Sequence, residues 1–212
     1  MSRETIEMVQ HMETERLENQ LIFQCAPLIV GLRMSNLFIV QRCYLQNLYH
    51  LLKESSICLR VLYVEENRVT ILLYRYDMLA SYLAKRRAKE LLLAKGYEKY
   101  DVETVLLMFT RRYRSYRNGE RDFPHELGVI LGYPLEDVEG FIQNDGKNYL
   151  YTGYWKVYEN VPAKRDVFRM FELAKETLIG MLHQGIGSKE ILETYCRSTN
   201  WLSRTQNFHN FC

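Results

Sequence analysis

Residues 58–75 read CLRVLYVEENRVTILLYR and give the clearest strand signal in the chain. Two runs rich in β-branched and aromatic residues flank a polar tip at Glu66 and Asn67, a pattern that predicts a β-hairpin. A second stretch, NYLYTGYWKVYE, starts at Asn148 and predicts one more strand over 148–158. Helical patterns surround both regions. The sequence therefore predicts the α+β class, with a small, mainly antiparallel sheet packed against several helices.

Apolar periodicity predicts helices on both sides of these strands. We expect an N-terminal helix that ends before Pro27, because proline removes a helix hydrogen bond, and then an apolar strand or loop over 25–32. The pattern predicts further helices over 35–54, 77–95, 101–116, 162–184 and 189–197. This order indicates an N-terminal helix over 1–24, a single α+β domain over 25–184, and a short helix with a tail over 185–212.

Residues 123–143 read FPHELGVILGYPLEDVEGFIQ and predict a helix-turn-helix-like αα-corner. Pro124 suits the first helical turn, small Gly128 lets the two helices approach, and Gly132 supplies the bend. The second helix carries several acids and no Lys or Arg. Because phosphate contacts need cations, we do not expect this corner to read a DNA sequence.

The composition is that of an ordinary globular protein. The chain has 212 residues, 47% hydrophobic residues and a formal net charge of +2, so it can bury a core and has no overall charge that attracts nucleic acid or membrane. No apolar run approaches the ~20 residues that cross a bilayer, and the mixed-charge N-terminus is unlike a secretory signal. Five cysteines without a CxxC pair favour reduced thiols in a cytoplasmic protein over disulfides or a zinc site.

His125 and Glu126 have the clearest chemical potential within the corner. Near a helix N-terminus an imidazole stays neutral more readily, which suits hydrogen bonding or acid–base catalysis. Adjacent helical side chains diverge by ~100°, so the two do not form a metal pair and we predict no metal site. Cys25 is a candidate nucleophile for a pair with His125. Its apolar surroundings are more typical of an inert core thiol.

The turn NDGKN at 144–148 and the strand after it contain the candidate ligand contacts. Lys147 and Asn148 stand at the tip, where an ammonium and nearby backbone N–H groups suit a phosphate or carboxylate, although turn formation alone also explains these residues. Alternation along the strand places Tyr154 and Lys156 on one face and Trp155 on the other. The turn lacks the GxxxxGK[ST] pattern of a nucleotide P-loop.

Three stretches together resemble a known family. They are FPHELGVILGYPLEDVEGFIQNDGKNYLYTGYWKVY at 123–158, QCAPLIVGLRMSNLF at 24–38 and LLYR at 72–75. Over about residues 25–171 the chain is similar to the bacterial domain-of-unknown-function family DUF3793. That family has no established activity, so the resemblance implies a map of motif positions and no cofactor. The positions include Cys25, Arg75, His125, Lys147 and Lys156.

We therefore expect a pocket near His125 and the GYWKVY strand that binds a small or anionic ligand, with Arg75, Lys147 and Lys156 supplying positive charge. One alternative is an enzyme that uses His125 as acid or base, with or without the Cys25 thiol. Another is an adaptor that binds a protein partner, or a weak RNA binder, through the basic and Tyr-rich segment 111–117. A solvated basic face is the simpler explanation of that segment.

Overall fold

The fold is built around the hairpin predicted from residues 58–75. In the computed structural model, which describes residues 3–10 and 12–196, the hairpin strands are β2 at Ile57–Val64 and β3 at Arg68–Arg75. A third strand, β1 at Ser35–Gln41, pairs antiparallel with the other side of β3, so the spatial order is β1–β3–β2. Because β3 is central, every residue from 69 to 74 is buried.

Helices surround this sheet, and the predicted α+β class is confirmed. The helices before β3 are α1 at Arg3–Gln10, α2 at Leu17–Ile29 and α3 at Leu45–Leu52, which follows a short 3-10 turn. Those after it are α4 at Tyr76–Leu83, α5 at Arg86–Ala94, α6 at Val102–Arg117, α7 at Leu127–Ile130, α8 at Leu135–Gln143, α9 at Val161–His183 and α10 at Ser188–Cys196.

Alternating side chains of β3 contribute to two hydrophobic clusters, one on each face of the sheet. Leu72 and Tyr74 belong to the cluster shared with α4 to α8. Ile71 and Leu73 belong to the cluster shared with α2, α3, α9 and α10. The sheet therefore lies between two helical layers, and α10 contributes buried residues to one of them.

The prediction of a helix over 35–54 is wrong for residues 35–41. Residues 35–41 form β1, in which Phe38 and Val40 are buried while Ile39 is exposed. Pairing with β3 and burial of alternate side chains outweigh the helical pattern of this segment.

Other predicted helix boundaries also differ from the structure. The N-terminal helix is divided into α1 and α2, and α2 continues through Pro27 to Ile29 where we expected a strand or loop. The Pro27 carbonyl accepts hydrogen bonds from the N–H groups of Leu32 and Arg33. These bonds stabilise the turn that follows the helix. The helix predicted over 77–95 is divided into α4 and α5 because Lys85 is extended.

The αα-corner is confirmed between α7 and α8. A Cβ atom on Gly128 would lie 2.9 Å from Val138 Cγ2, and Gly132 has a φ of +71°, so both glycines have their predicted roles. Helix α7 begins only at Leu127, however, because residues 124–127 form a tight turn. His125 therefore lies in that turn and not within a helix.

The strand predicted over 148–158 is instead a small hairpin. β4 at Tyr151–Thr152 and β5 at Lys156–Val157 pair antiparallel in a sheet separate from the central one. Gly153 turns the chain against α9, where a Cβ atom would lie 2.4 Å from Phe168 Cε2. This turn ends the strict alternation of faces that a single strand would have. We call residues 149–159 the aromatic hairpin.

The last described helix packs into the core through Ile191, Leu192 and Cys196. The tail predicted beyond it, over 198–212, lies outside the described residues. Over the part of the chain that the structure describes, no helix combines the length and the apolar character that crossing a bilayer requires.

Gly140→Ala should destabilise the protein, because the aromatic hairpin packs directly on α8. A Cβ atom at this helical position would lie 2.5 Å from Tyr158 Cγ and 2.6 Å from Tyr158 Cβ, which are fixed close to the backbone. We expect the free energy of unfolding, measured by urea denaturation, to fall by about 1–3 kcal/mol.

Gly180→Ala is the matched control for that substitution. Gly180 also lies inside a helix, α9, but apart from the adjoining backbone of that helix no atom of the described residues stands within 4 Å of its added Cβ. We expect a gain of about 0.5–1 kcal/mol, because alanine has the higher helix propensity. Equal effects of the two substitutions would contradict the close packing of α8 on the hairpin.

Candidate functional site

The carboxylate of Asp137 attaches the aromatic hairpin to α8. The Asp137 side chain is buried and accepts hydrogen bonds from Trp155 Nε1 at 2.8 Å, from the Tyr158 N–H at 2.8 Å and from the Glu159 N–H at 3.3 Å. Lys164 Nζ lies 3.9 Å from the same carboxylate. Asp137, one of the acids of the second helix of the corner, therefore positions the segment in which we expect ligand contacts.

His125 lies between two aromatic rings. Its ring centroid is 5.6 Å from that of Phe123 and 5.5 Å from that of Phe141. The side chain is half-buried, and its Nδ1 atom is shielded from solvent with no hydrogen-bond partner among the residues described. An unpartnered buried nitrogen costs free energy, so this imidazole has an unused hydrogen-bonding position.

Glu126 is buried inside the protein, and its described side-chain contacts do not involve His125. Glu126 is 4% exposed, forms an ion pair with Arg112 Nη1 at 3.0 Å, and accepts the Tyr97 hydroxyl at 3.2 Å. Burial raises the pKa of the Tyr97 phenol, and the adjacent Glu126 carboxylate raises it further. Together these contacts fix the turn that carries His125.

Sequence reasoning missed this buried network. Arg112 stands three residues after Phe109 in α6 and therefore on the same face, although it belongs to a run of arginines that looks like a solvated surface. The helical spacing from Phe109 is the feature of the sequence that distinguishes Arg112 from the neighbouring arginines. Its guanidinium lies 4.7 Å from the Tyr97 ring centroid and donates to the Lys95 carbonyl at 2.6 Å.

Lys156 is the cation that the structure places near His125. Its Nζ donates to the Gly146 carbonyl at 2.6 Å and lies 5.6 Å from the Phe141 ring centroid and 5.0 Å from that of Tyr149. Phe141 therefore contacts both the His125 ring and the Lys156 ammonium. No carboxylate of the described chain pairs with this half-buried ammonium.

Lys147 and Asn148 extend from the turn before the hairpin. The Lys147 side chain is 77% exposed, with Asp145 at 3.9 Å, and the Asn148 amide donates to Asn144 Oδ1 at 3.3 Å. This turn is conformationally unusual, because Asp145, Gly146 and Asn148 have φ values of +50°, +68° and +55°. Lys147 therefore projects into solvent and makes no described contact with His125.

A shallow depression of about 330 Å³ lies beside the turn and the hairpin. Tyr158 lines it, yet its hydroxyl oxygen is shielded from solvent and has no hydrogen-bond partner among the described residues. Burial, with the nearby Tyr149 and Asp137, raises the pKa of the Tyr158 phenol. The other lining residues are Arg87, Glu136, Glu139, Gly140, Gln143, Asn144, Asn148, Leu150 and Glu159.

Tyr154 and Trp155 face α9 and not the Lys156 side of the hairpin. The Tyr154 hydroxyl donates to Glu172 at 2.7 Å, and the Trp155 ring lies 4.5 Å from Phe168 and 5.2 Å from Tyr133 between ring centroids. These two predicted ligand contacts therefore belong to an aromatic cluster that the structure separates from His125 and Lys156.

Arg75 is engaged in joining helices. Its guanidinium donates to the carbonyls of Leu28 at 2.9 Å and Ile29 at 2.6 Å, which end α2, and to the Ser56 hydroxyl at 2.7 Å. It also lies 3.2 Å from Cys196 Sγ in α10. These contacts connect β3 to two helices, and none of them involves His125 or the aromatic hairpin.

Cys25 lies in the core cluster between α2 and the sheet. Its side chain is 0% exposed, and burial raises the pKa of the thiol to about 12. The Asn36 amide donates to Cys25 Sγ at 3.4 Å. The structure does not bring Cys25 to His125, which packs among Phe123 and Phe141 instead.

The basic segment 111–117 is largely engaged by the protein itself. Arg111 is exposed, but the other three arginines hold protein acceptors: Arg112 binds Glu126, Arg114 donates to the Leu62 carbonyl, and Arg117 pairs with Glu65. Searched over the described residues, the His, Cys, Asp and Glu side chains form no group of three that would hold a metal ion.

Comparison with known proteins agrees with the motif block. The family model described as "Protein of unknown function (DUF3793)" matches residues 21–192, which confirms the resemblance and covers well over half of the chain. The comparisons with curated proteins and with solved structures gave no match.

Asp137→Asn should loosen the aromatic hairpin. The amide has one oxygen where the carboxylate has two, and its NH2 group would face donors from Trp155, Tyr158 or Glu159. We expect the free energy of unfolding, measured by urea denaturation, to fall by about 1.5–3 kcal/mol.

Glu139→Gln is the control on the same helix. Glu139 pairs with Arg87 at 2.9 Å near the surface, so its loss should change stability by less than about 1 kcal/mol. An Asp137→Asn variant as stable as Glu139→Gln would show that the buried carboxylate does not hold the hairpin.

Cys25 should resist alkylation in the native protein. At pH 8 its thiol is protonated and buried, whereas Cys43 is exposed. Mass spectrometry after iodoacetamide treatment should find Cys43 modified first and Cys25 modified only after unfolding. A Cys25 rate that matches the Cys43 rate would contradict the buried placement and would favour a nucleophilic role.

Proposed function

We propose that this chain, which belongs to the DUF3793 family, binds a small anionic ligand beside Lys156. One observation carries the proposal: the half-buried Lys156 ammonium lies between two aromatic rings and has no carboxylate partner among the described residues. An anion at this position would supply the missing partner.

Removing a cation from water costs free energy. A partly buried ammonium loses hydration, and a carboxylate partner normally compensates for that loss. Lys164 shows the usual arrangement, because it is buried and pairs with Glu136. For Lys156 the compensation comes from one carbonyl and from the faces of Phe141 and Tyr149, each worth about 0.5–2 kcal/mol.

Polar groups next to Lys156 suit the same ligand class. Tyr158, with its unpartnered hydroxyl, and the Asn148 amide line the depression beside the hairpin. His125 contacts the same Phe141 ring as Lys156, and its Nδ1 has no hydrogen-bond partner among the described residues. A phosphate or carboxylate accepts hydrogen bonds from all of these donor types.

The backbone of the adjoining turn supports a functional role for this surface. Asp145 and Asn148 adopt left-handed conformations, which cost of the order of 1–3 kcal/mol each outside glycine and concentrate at ligand clamps and active sites. Asn160 is the other such residue among those described, and there the side chain caps α9. Asp145 likewise ends a helix, because it follows the α8 C-cap Asn144 and the next N–H, that of Gly146, donates to the Phe141 carbonyl at 2.9 Å. Asn148 is therefore the left-handed residue of this turn that no helix end explains.

The two alternatives draw less support from the geometry. An acid–base enzyme would rely on His125 without the Cys25 thiol, because Cys25 is buried in the core. RNA binding through 111–117 would need arginines that already hold protein acceptors. A cytoplasmic location remains part of the proposal, supported by the free thiols of the described cysteines.

Lys156→Met should strongly reduce stabilisation by anions. In a thermal-shift series with inorganic phosphate, pyrophosphate and citrate at constant ionic strength, we expect the wild-type Tm to rise with at least one of these probes. Loss of the charge-assisted hydrogen bonds should weaken that affinity by about tenfold to a hundredfold.

Lys147→Met is the matched control, because Lys147 is a lysine of the same region that projects into solvent. Its affinity should stay within about twofold of the wild type, since a surface charge contributes little. Lys156→Met without ligand should keep its stability within about 1 kcal/mol, because the loss of the carbonyl and ring contacts is offset by removal of a partly desolvated charge. Equal losses of affinity in both variants, or no stabilisation by any of the probes, would refute the proposal.

A further inference from the structure

Arg33 occupies an unusual position at the edge of the aromatic cluster. It lies in the loop between α2 and β1, where its backbone N–H donates to the Pro27 carbonyl at 3.0 Å, and its side chain is half-buried. The guanidinium carbon lies 5.6 Å from the Tyr133 ring centroid and 5.8 Å from that of Phe171. Two rings therefore hold this cation in place.

Most of the Arg33 donors are unused. A guanidinium has five N–H groups, and the described residues supply Arg33 with one acceptor, Asn36 Oδ1, which Nη1 contacts at 2.9 Å. Arg75 and Arg112 are different, because internal acceptors occupy several of their donors. The Nε and Nη2 edge of Arg33 faces no acceptor in the described chain.

The orientation of this free edge is fixed by the surrounding residues. Asn36 is 9% exposed and its amide donates to the carbonyls of Leu37 at 2.8 Å and Gln24 at 3.2 Å. Those bonds hold Asn36 Oδ1 toward Arg33 Nη1, while the rings of Tyr133 and Phe171 restrict the guanidinium plane. A cation that is oriented in advance loses less entropy when it binds.

We propose that the Nε and Nη2 edge of Arg33 binds a carboxylate, with the Tyr133 and Phe171 rings contacting the apolar part of the ligand. A planar guanidinium edge matches the two oxygens of a carboxylate and forms two parallel hydrogen bonds. Contact with aromatic faces uses none of the N–H groups of that edge, and the adjacent rings give an apolar ligand body a surface to cover.

This site is separate from the surface around Lys156. Tyr133 stacks on Trp155 at 5.2 Å, whereas Lys156 lies against Phe141 and Tyr149. The two cations thus contact different sets of rings, so the two proposed sites depend on different residues.

Benzoate and its neutral isostere benzamide test the proposal on the full chain. In ¹⁵N-labelled protein, the Arg33 Nε–H signal is assigned by its loss in Arg33→Lys. We expect benzoate to shift this signal saturably and benzamide to leave it unchanged. Arg33→Gln should weaken benzoate binding, measured by ligand-observed NMR, by about tenfold or more.

Arg165→Gln is the matched control, because the Arg165 guanidinium also lies over a tyrosine ring, Tyr151 at 5.3 Å, but on the exposed surface. It should keep benzoate affinity within about twofold of the wild type. Lys156→Met should leave the Arg33 titration unchanged, which distinguishes this proposal from the one above. An equal shift with benzamide, the absence of a saturable shift in the wild type, or unchanged affinity in Arg33→Gln would overturn the proposal.

Discussion

The buried Asp137 carboxylate determines where the aromatic hairpin lies. β4 and β5 have two residues each, and a two-stranded sheet of that size is not stable by itself in water. One carboxylate accepts the Trp155 indole and two backbone N–H groups, and so supplies contacts that a larger sheet would otherwise provide. The hairpin residues Lys156 and Tyr158 are held next to α8 because the Asp137 carboxylate fixes the residues around them.

Local signals in the sequence predicted the elements that local contacts define. The Asp101 side chain accepts the Thr104 N–H at the start of α6, and Pro162 lies in the first turn of α9. Both helices therefore begin within one residue of the predicted starts at 101 and 162. The course of residues 25–41 was predicted wrongly, because β1 depends on pairing with β3, which is far along the chain. Long-range pairing of this kind leaves little trace in periodicity.

The predicted site residues differ in their interaction partners, and their spacing in the sequence does not reveal those partners. Lys147 and Lys156 are both lysines of one motif block, but the left-handed turn directs the first into solvent and the hairpin places the second among rings. Residues of the motif block do pack on one another, since Asp137 binds Trp155 and Phe141 contacts Lys156. The motif did not show that Glu126 and Arg75 are engaged internally, because their partners come from other segments.

Positive charge alone does not identify a binding surface in this protein, whereas the set of partners around each cation does. Arg112 and Lys164 pair with carboxylates and hold turns or helices in place, and Arg75 performs the same task with carbonyls at the end of α2. Lys156 and Arg33 are held by aromatic faces and keep donors without an acceptor among the described residues. Aromatic faces attract a cation without using its N–H groups, so a cation fixed by rings remains free to bind an anion.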